Sequence, residues 1–115
     1  MELKIIKPKI NNIKLKLTLQ KTGKLGFSAE CNRLFNLDEN KYVKFATDVD
    51  NNPFLKIFNL PDSETFDIAK AGPYFYIKKY DSLLKDLGIS INDKVTFDLV
   101  KSEDGFFAML KRFYK

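Results

Sequence analysis

The chain has 115 residues, of which 44% are hydrophobic and 30% are charged, a balance typical of one globular domain rather than of a disordered tail or a coiled coil. It has no His, no Trp and a single Cys, which excludes His-based acid–base catalysis, a Cys/His zinc site and an internal disulfide. No apolar run approaches the ~20 residues of a membrane span, and the first residues lack a secretory signal. We therefore expect a cytoplasmic protein without membrane contact.

Positive charge is concentrated at the N-terminal end of the chain. Residues 1–24 carry seven Lys against one Glu, a net +6, whereas residues 25–115 carry 13 basic and 14 acidic groups, a net −1. A concentrated positive segment attracts polyanions such as nucleic acid in a salt-dependent way. The same lysines could instead keep one face of a strand in water and protect its edge from aggregation. We define residues 1–12 as the basic N-terminal arm.

The first half of the chain predicts a hairpin, a short helix and a second hairpin. Apolar and polar residues alternate from Ile13 to Gln20, the period of a strand with one buried face. Gly23 can take a positive φ in the turn that follows, so the chain returns through residues 25–27. Ser28 is then a candidate N-cap for a helix with Cys31 on its apolar face. Residues 42–58 form the second hairpin around a polar turn.

The second half follows the same order. Residues 66–77 predict a hairpin with its turn at Gly72-Pro73, and residues 95–110 predict another. Between them a helix places four residues on one face, and Gly88 suits the left-handed position after its end. The residues on that face are Tyr80, Leu83, Leu84 and Leu87.

The two halves align as an internal repeat over residues 13–58 and 66–110. A shift of 49 residues places Gly23 on Gly72 and Leu34 on Leu83, and after three extra residues a shift of 52 places Val43 on Val95. Each copy, of about 45 residues, is too short to bury an adequate core alone. We therefore expect one α+β domain over residues 1–115, mostly antiparallel and pseudo-symmetric, in which the two units pack together.

The first hairpin and helix resemble a known family. The segment Gly23–Ser28 stands where the SpoVT/AbrB superfamily shows Gly-Arg, an apolar residue, a variable one, an apolar one and Pro, although here Lys24 replaces Arg and Ser28 replaces Pro. The tandem arrangement is similar to that of the MraZ regulators, but Pro73 takes the basic position in the second copy. The resemblance implies a swapped-hairpin, AbrB-like barrel, DNA recognition by the first hairpin, and a role in transcription regulation.

Five lysines are the candidate nucleic-acid-binding residues. Only one of them matches the basic position of the family; two lie on the predicted exposed face of the first strand, and two lie near the hairpin tips by repeat alignment. Lysine offers a point charge rather than the bidentate fork with which arginine reads guanine, so sequence discrimination should be modest. The five residues, in chain order, are Lys14, Lys16, Lys21, Lys24 and Lys70.

Aromatic and acidic segments offer other chemistry. Tyr74-Phe75-Tyr76 lies beside Lys78 and Lys79, as in a platform on which single-stranded bases stack, but neighbours in a strand point to opposite faces, so one set must be core. The run from residue 48 to 52 hints at a calcium loop but lacks its Gly and final Glu, and a turn explains it better. We expect no metal and no cofactor.

The sequence therefore predicts a small protein that binds nucleic acid, DNA rather than RNA, and that is not an enzyme, because no catalytic motif is present. Cys31 is expected to act as a small buried hydrophobe, with a reactive thiol as the alternative. A homodimer is compatible with this architecture. The alternative function is a non-enzymatic protein-interaction or assembly module, antitoxin-like or a phage structural component.

Overall fold

The computed structural model describes Leu3 and residues 15–113, with the backbone alone at the last position. Lys14 and, apart from Leu3, the basic arm lie outside the described residues. Eight strands and two α-helices occupy the described part, together with a 3₁₀ turn at Glu103–Gly105. In chain order these are β1 Lys16–Leu19, β2 Leu25–Phe27, α1 Ala29–Phe35, β3 Tyr42–Thr47, β4 Pro53–Phe58, β5 Phe66–Ala71, β6 Tyr74–Ile77, α2 Asp81–Asp86, β7 Val95–Lys101 and β8 Phe107–Phe113.

The strands close into a barrel in the order β1-β2-β6-β5-β3-β4-β8-β7, and β7 pairs with β1 to complete the ring. Every pairing is antiparallel. The prediction of a mostly antiparallel β domain with two short helices is confirmed. Neither α-helix of the described part has the length and apolar character needed to span a bilayer.

One hydrophobic core fills the barrel and contains residues from both halves of the chain. Leu17 on β1 faces Phe27 on β2 and Phe97 on β7, and both Leu17 and Phe97 are fully buried. The helices add Cys31 from α1 and Leu83 from α2 to the same cluster. This shared core is what short units need, because each one buries its apolar face against the other.

The strand order is unchanged when β1–β4 are exchanged with β5–β8. The β1–β7 pair then becomes the β5–β3 pair, and the pairs β2–β6 and β4–β8 map onto themselves. Within the described residues, neither half pairs its first hairpin with its own second hairpin. All contacts between hairpins in the sheet therefore join one half of the chain to the other.

The helices share the same boundary geometry at positions 52 residues apart. Ser28 and Tyr80 precede α1 and α2. Left-handed backbone follows at Asn36, with φ of 50°, and at Gly88, with φ of 71°. Leu37 N then donates to Asn32 O at 3.2 Å, and Ile89 N donates to Leu84 O at 2.9 Å.

This correspondence differs from the alignment of the sequence. Equal spacing through the helices places the three extra residues of the second half before α2, in the β5–β6 hairpin, and not after the helix. Leu83 then corresponds to Cys31 rather than to Leu34, because Leu83 and Cys31 are buried whereas Leu34 is 55% exposed. The alignment by residue type missed this match because α1 and α2 bury equivalent positions with side chains of different size, Cys31 in α1 and Leu83 in α2.

Ser28 occupies the predicted N-cap position, but its hydroxyl forms no cap hydrogen bond. The Ser28 Oγ accepts from the backbone N–H of Lys16 at 3.1 Å and donates to Cys31 Sγ at 3.4 Å. The side chain therefore ties the end of the first hairpin to α1. The predicted hairpin turn is confirmed at Gly23, whose φ is 90°.

Candidate nucleic-acid interface

The outer face of the β1-β2-β6-β5 sheet carries basic and tyrosine side chains. Leu17, Leu25 and Ile77 point inward and are buried, so the residues that alternate with them on the same strands point outward. We call this surface the tyrosine face. It comprises Lys16, Thr18, Lys24, Gly26, Ala69, Tyr74 and Tyr76, and exposed Lys78 follows at the end of β6.

Small residues surround the aromatic ring at the centre of the tyrosine face. Tyr76 on β6 lies opposite Gly26 on β2 and opposite Ala69 on β5, and Gly26 in turn lies opposite Thr18. Cross-strand neighbours are the closest side chains on a sheet face. The row therefore has one large ring bordered by short residues, and the flexible Gln20 side chain lies over Gly26, where an added Cβ would be 2.5 Å from Gln20 Nε2.

Lys24 is held by this ring. Its Nζ lies 4.6 Å from the centroid of Tyr76, the geometry of a cation–π contact. Between residues 15 and 113 no carboxylate lies within ion-pair distance of Lys24. The ammonium is therefore available to an external anion, because only a weak contact has to be exchanged.

Tyr74 and Tyr76 lie on the opposite face of β6 from Phe75, as alternation predicts. Phe75 is buried, with 3% exposure, whereas Tyr74 is 70% exposed at the end of the β5–β6 hairpin. Tyr76 is half-buried, with its ring beneath Lys24. The sequence pattern predicts that Phe75 and the two tyrosines lie on opposite faces, but it shows neither which set is exposed nor that Lys24 and Gly26 are neighbours of Tyr76.

The structure brings together only part of the predicted lysine set. Lys16 lies on the tyrosine face, where its partner in register is Asp98 on β7. Lys24 lies on the same face. Lys21 is exposed at the β1–β2 turn and lines a depression of about 230 Å³ with residues 91–94. Lys14 lies outside the described residues.

Lys70 lies away from the other candidate lysines of the described part. Because β2 and β6 are antiparallel, the β1–β2 and β5–β6 turns lie at opposite ends of the sheet, and Lys70 lies at the end away from Lys21. Its Nζ is 3.0 Å from Asp38 Oδ1 and 5.4 Å from the ring centroid of Phe75. The repeat alignment predicted equivalent tips, but the barrel separates them and the ion pair occupies the Lys70 ammonium.

Lys79 is not one of the five candidate lysines, although in the sequence it lies close to the tyrosine run. A Cβ at Gly23 would lie 2.7 Å from the Cγ and Cδ atoms of Lys79, so this side chain crosses the β1–β2 turn. Its Nζ also lies 3.6 Å from Asp81. Lys79 therefore supports the turn that carries Lys21 and Lys24, and only the pairing of β2 with β6 makes this contact.

The other side of the barrel, formed by β3, β4, β8 and β7, has an apolar row on its outer surface. Val100, Ala108, Phe54 and Ala46 lie in register on β7, β8, β4 and β3. Val100 is 49% exposed, and Leu110 beside this row on β8 is 54% exposed. We call these four residues the apolar row.

Two carboxylates on the turns and connections outside the tyrosine face, Asp48 and Asp62, have structural partners. Asp48 accepts from the backbone N–H groups of Asp50 and Asn52, both at 2.9 Å, and these bonds lower the pKa of its carboxyl. Its carboxylate therefore closes the predicted turn. Lys44 lowers the pKa of Asp62, and Asp62 raises the pKa of Lys44, through a hydrogen-bonded ion pair.

Neither a metal site nor a reactive thiol emerges from the described ranges. No group of three or more potential metal-ligating side chains is found there. Cys31 is free and fully buried, and burial raises the pKa of its thiol. A raised pKa keeps the sulfur protonated at neutral pH, whereas the thiolate is the nucleophile.

Comparison of the chain with known protein families, with characterised proteins and with solved structures finds no match.

Proposed function

We propose that this protein binds nucleic acid through the tyrosine face, with DNA as the expected polymer, and that it acts as a regulator by binding rather than by catalysis. The observation that carries the proposal is Lys24, which lies above Tyr76 without an acidic partner among the described residues, on a face that also carries Lys16 and Lys78. Two acidic residues lie among these lysines: exposed Asp67, two residues before Ala69 on β5, and Asp98 on β7, which is the register partner of Lys16 and forms an ion pair with Arg112. The local charge favours a polyanion.

The fold supports this proposal at the level of architecture. We interpret the two halves as tandem swapped-hairpin units, because each half places its first hairpin against strands of the other half. The AbrB-like resemblance of the Gly23–Ser28 segment implies the same arrangement and implies DNA recognition by the first hairpin. Lys24, the residue at the basic position of that segment, lies on the tyrosine face.

Salt dependence tests the proposal. Each lysine that neutralises a phosphate on duplex DNA contributes about −0.9 to the slope of log affinity against log salt concentration. Fluorescence anisotropy of labelled DNA, titrated with protein at several salt concentrations, measures this slope. Replacing Lys16 and Lys24 by Gln should weaken binding and make the slope less negative by about 1 to 2.

The matched control removes the same charge elsewhere. Lys85 on α2 and Lys101 at the end of β7 are exposed and lie outside the tyrosine face. The Lys85→Gln/Lys101→Gln variant should keep most of the affinity and most of the slope. Equal losses in the two double variants would mean that net charge, and not this face, is responsible for binding.

A second candidate function is a protein-interaction or assembly module, and the apolar row favours it. Val100 and Leu110 expose apolar surface on the sheet opposite the tyrosine face, and exposed apolar patches mark interaction surfaces. Sedimentation velocity of the wild type and of Val100→Lys tests it. Self-association that the substitution abolishes supports this function, whereas a monomer at all concentrations contradicts assembly through this row.

A further inference from the structure

We propose that the tyrosine face takes a single-stranded nucleic acid, with bases stacked on Tyr74 and Tyr76 and phosphates held by Lys24 and Lys78. The inference rests on the proposed function and deepens it, because it specifies the strand form of the ligand and the groups that contact its bases. Lysines alone attract any polyanion. The tyrosines select for bases.

The two rings are placed where bases can reach them. Tyr74 is 70% exposed and lies opposite Ala71, and Tyr76 lies between Gly26 and Ala69. On a strand, side chains two residues apart point to the same face at a spacing of about 7 Å. A planar base can therefore approach Tyr74 directly, and it reaches Tyr76 once two flexible side chains, Lys24 above the ring and Gln20 over Gly26, move aside.

Lys24 occupies the position that a base would take over Tyr76. Its Nζ lies 4.6 Å from the ring centroid, and cation–π contacts at exposed sites are weak. When a strand binds, the ammonium can move to a phosphate while the base stacks on the ring it has left. One exchange thereby forms both contacts that single-stranded nucleic-acid sites use, stacking and backbone charge.

A duplex cannot use the rings in this way. Its bases are already stacked on one another, and only their edges are exposed in the grooves. Aromatic side chains on a sheet bind bases that are unstacked and splayed, as single strands present them. The tyrosines are therefore the part of the face that distinguishes the two strand forms, whereas Lys16 and Lys24 serve either.

The test compares three labelled ligands of equal length by anisotropy at one salt concentration. These are oligothymidylate, an abasic strand with the same phosphates, and a duplex. We expect the protein to bind oligothymidylate with higher affinity than either the duplex or the abasic strand. We expect Tyr74→Leu and Tyr76→Leu each to weaken oligothymidylate binding roughly 5- to 140-fold, because one stacked base is worth about 1–3 kcal/mol and about 1.4 kcal/mol corresponds to tenfold.

The controls separate the two proposals. Phe58→Leu removes a partly buried ring from β4, outside both the tyrosine face and the apolar row, and should leave the affinity for oligothymidylate unchanged. Equal affinity of the wild type for oligothymidylate and the abasic strand would overturn the stacking inference without using any variant, while the salt slope would still support nucleic-acid binding. Binding of none of the three ligands at low salt would contradict the proposed function itself.

Discussion

Replacing Gly23 by Ala tests the β1–β2 turn that carries Lys21 and Lys24. Gly23 has a φ of 90°, and its added Cβ would lie 2.7 Å from two atoms of the Lys79 side chain. Left-handed backbone costs an L-residue about 1–2 kcal/mol. Displacing Lys79 also weakens its exposed ion pair with Asp81, worth about 0–1 kcal/mol. We expect a loss of about 2 kcal/mol in the free energy of unfolding.

Gly72 provides the matched control. Its φ is 60°, and a Cβ there would meet no atom within 4 Å, so Gly72→Ala should cost only the backbone component, about 1 kcal/mol. Urea denaturation followed by circular dichroism measures both variants. In a Lys79→Ala background, the cost of Gly23→Ala should fall toward that of Gly72→Ala. Equal costs for the two glycines, or no effect of Lys79→Ala on the cost at Gly23, would refute the contact as the cause.

Three further predictions concern the core, the ion pair and the thiol. Phe97 is fully buried, so Phe97→Ala should lower the free energy of unfolding by about 3–5 kcal/mol in urea titrations; a loss below 1 kcal/mol would contradict its central place. The lowered pKa of Asp62 stabilises the fold above the ordinary Asp pKa, and this contribution is lost as the pH falls through the folded value. Asp62→Asn should therefore flatten the acid side of the stability profile, whereas an unchanged profile would contradict the Lys44 pair. Cys31 should react with a thiol reagent only at the rate of unfolding, and rapid labelling of the native protein would contradict its burial.

Local patterns predicted the elements well where a helix or strand has one apolar face. In α2, Leu83, Leu84 and Leu87 are buried, and Gly88 follows with a φ of 71°. These features depend on residues three or four positions apart, which the sequence displays directly. The repeat alignment was less reliable because it matched residues of similar type and so paired Leu34 with Leu83. In the structure the buried residue of α1 that corresponds to Leu83 is Cys31.

The candidate site was predicted only in part. Lys16 lies on the outer face of β1 as alternation indicated, and the structure places Lys24 on the same face, but Lys70 lies at the other end of the sheet in an ion pair with Asp38. The repeat alignment could not anticipate this, since it says which segments are alike and not where the barrel places them. The contact of Lys79 with Gly23 could not be predicted for the same reason, because it crosses from one half of the chain to the other.

Composition and local periodicity predict the charge of the chain, the order of its strands and helices, and the apolar side of strands that alternate clearly, such as β1. These follow from composition and from short-range periods of two and of 3.6 residues. The pairing of β2 with β6, which brings Gly26 beside Tyr76 and Lys24 above its ring, is visible only in the folded barrel. Strand neighbours and register depend on burying apolar faces of both halves in one core, a long-range condition that no local pattern contains.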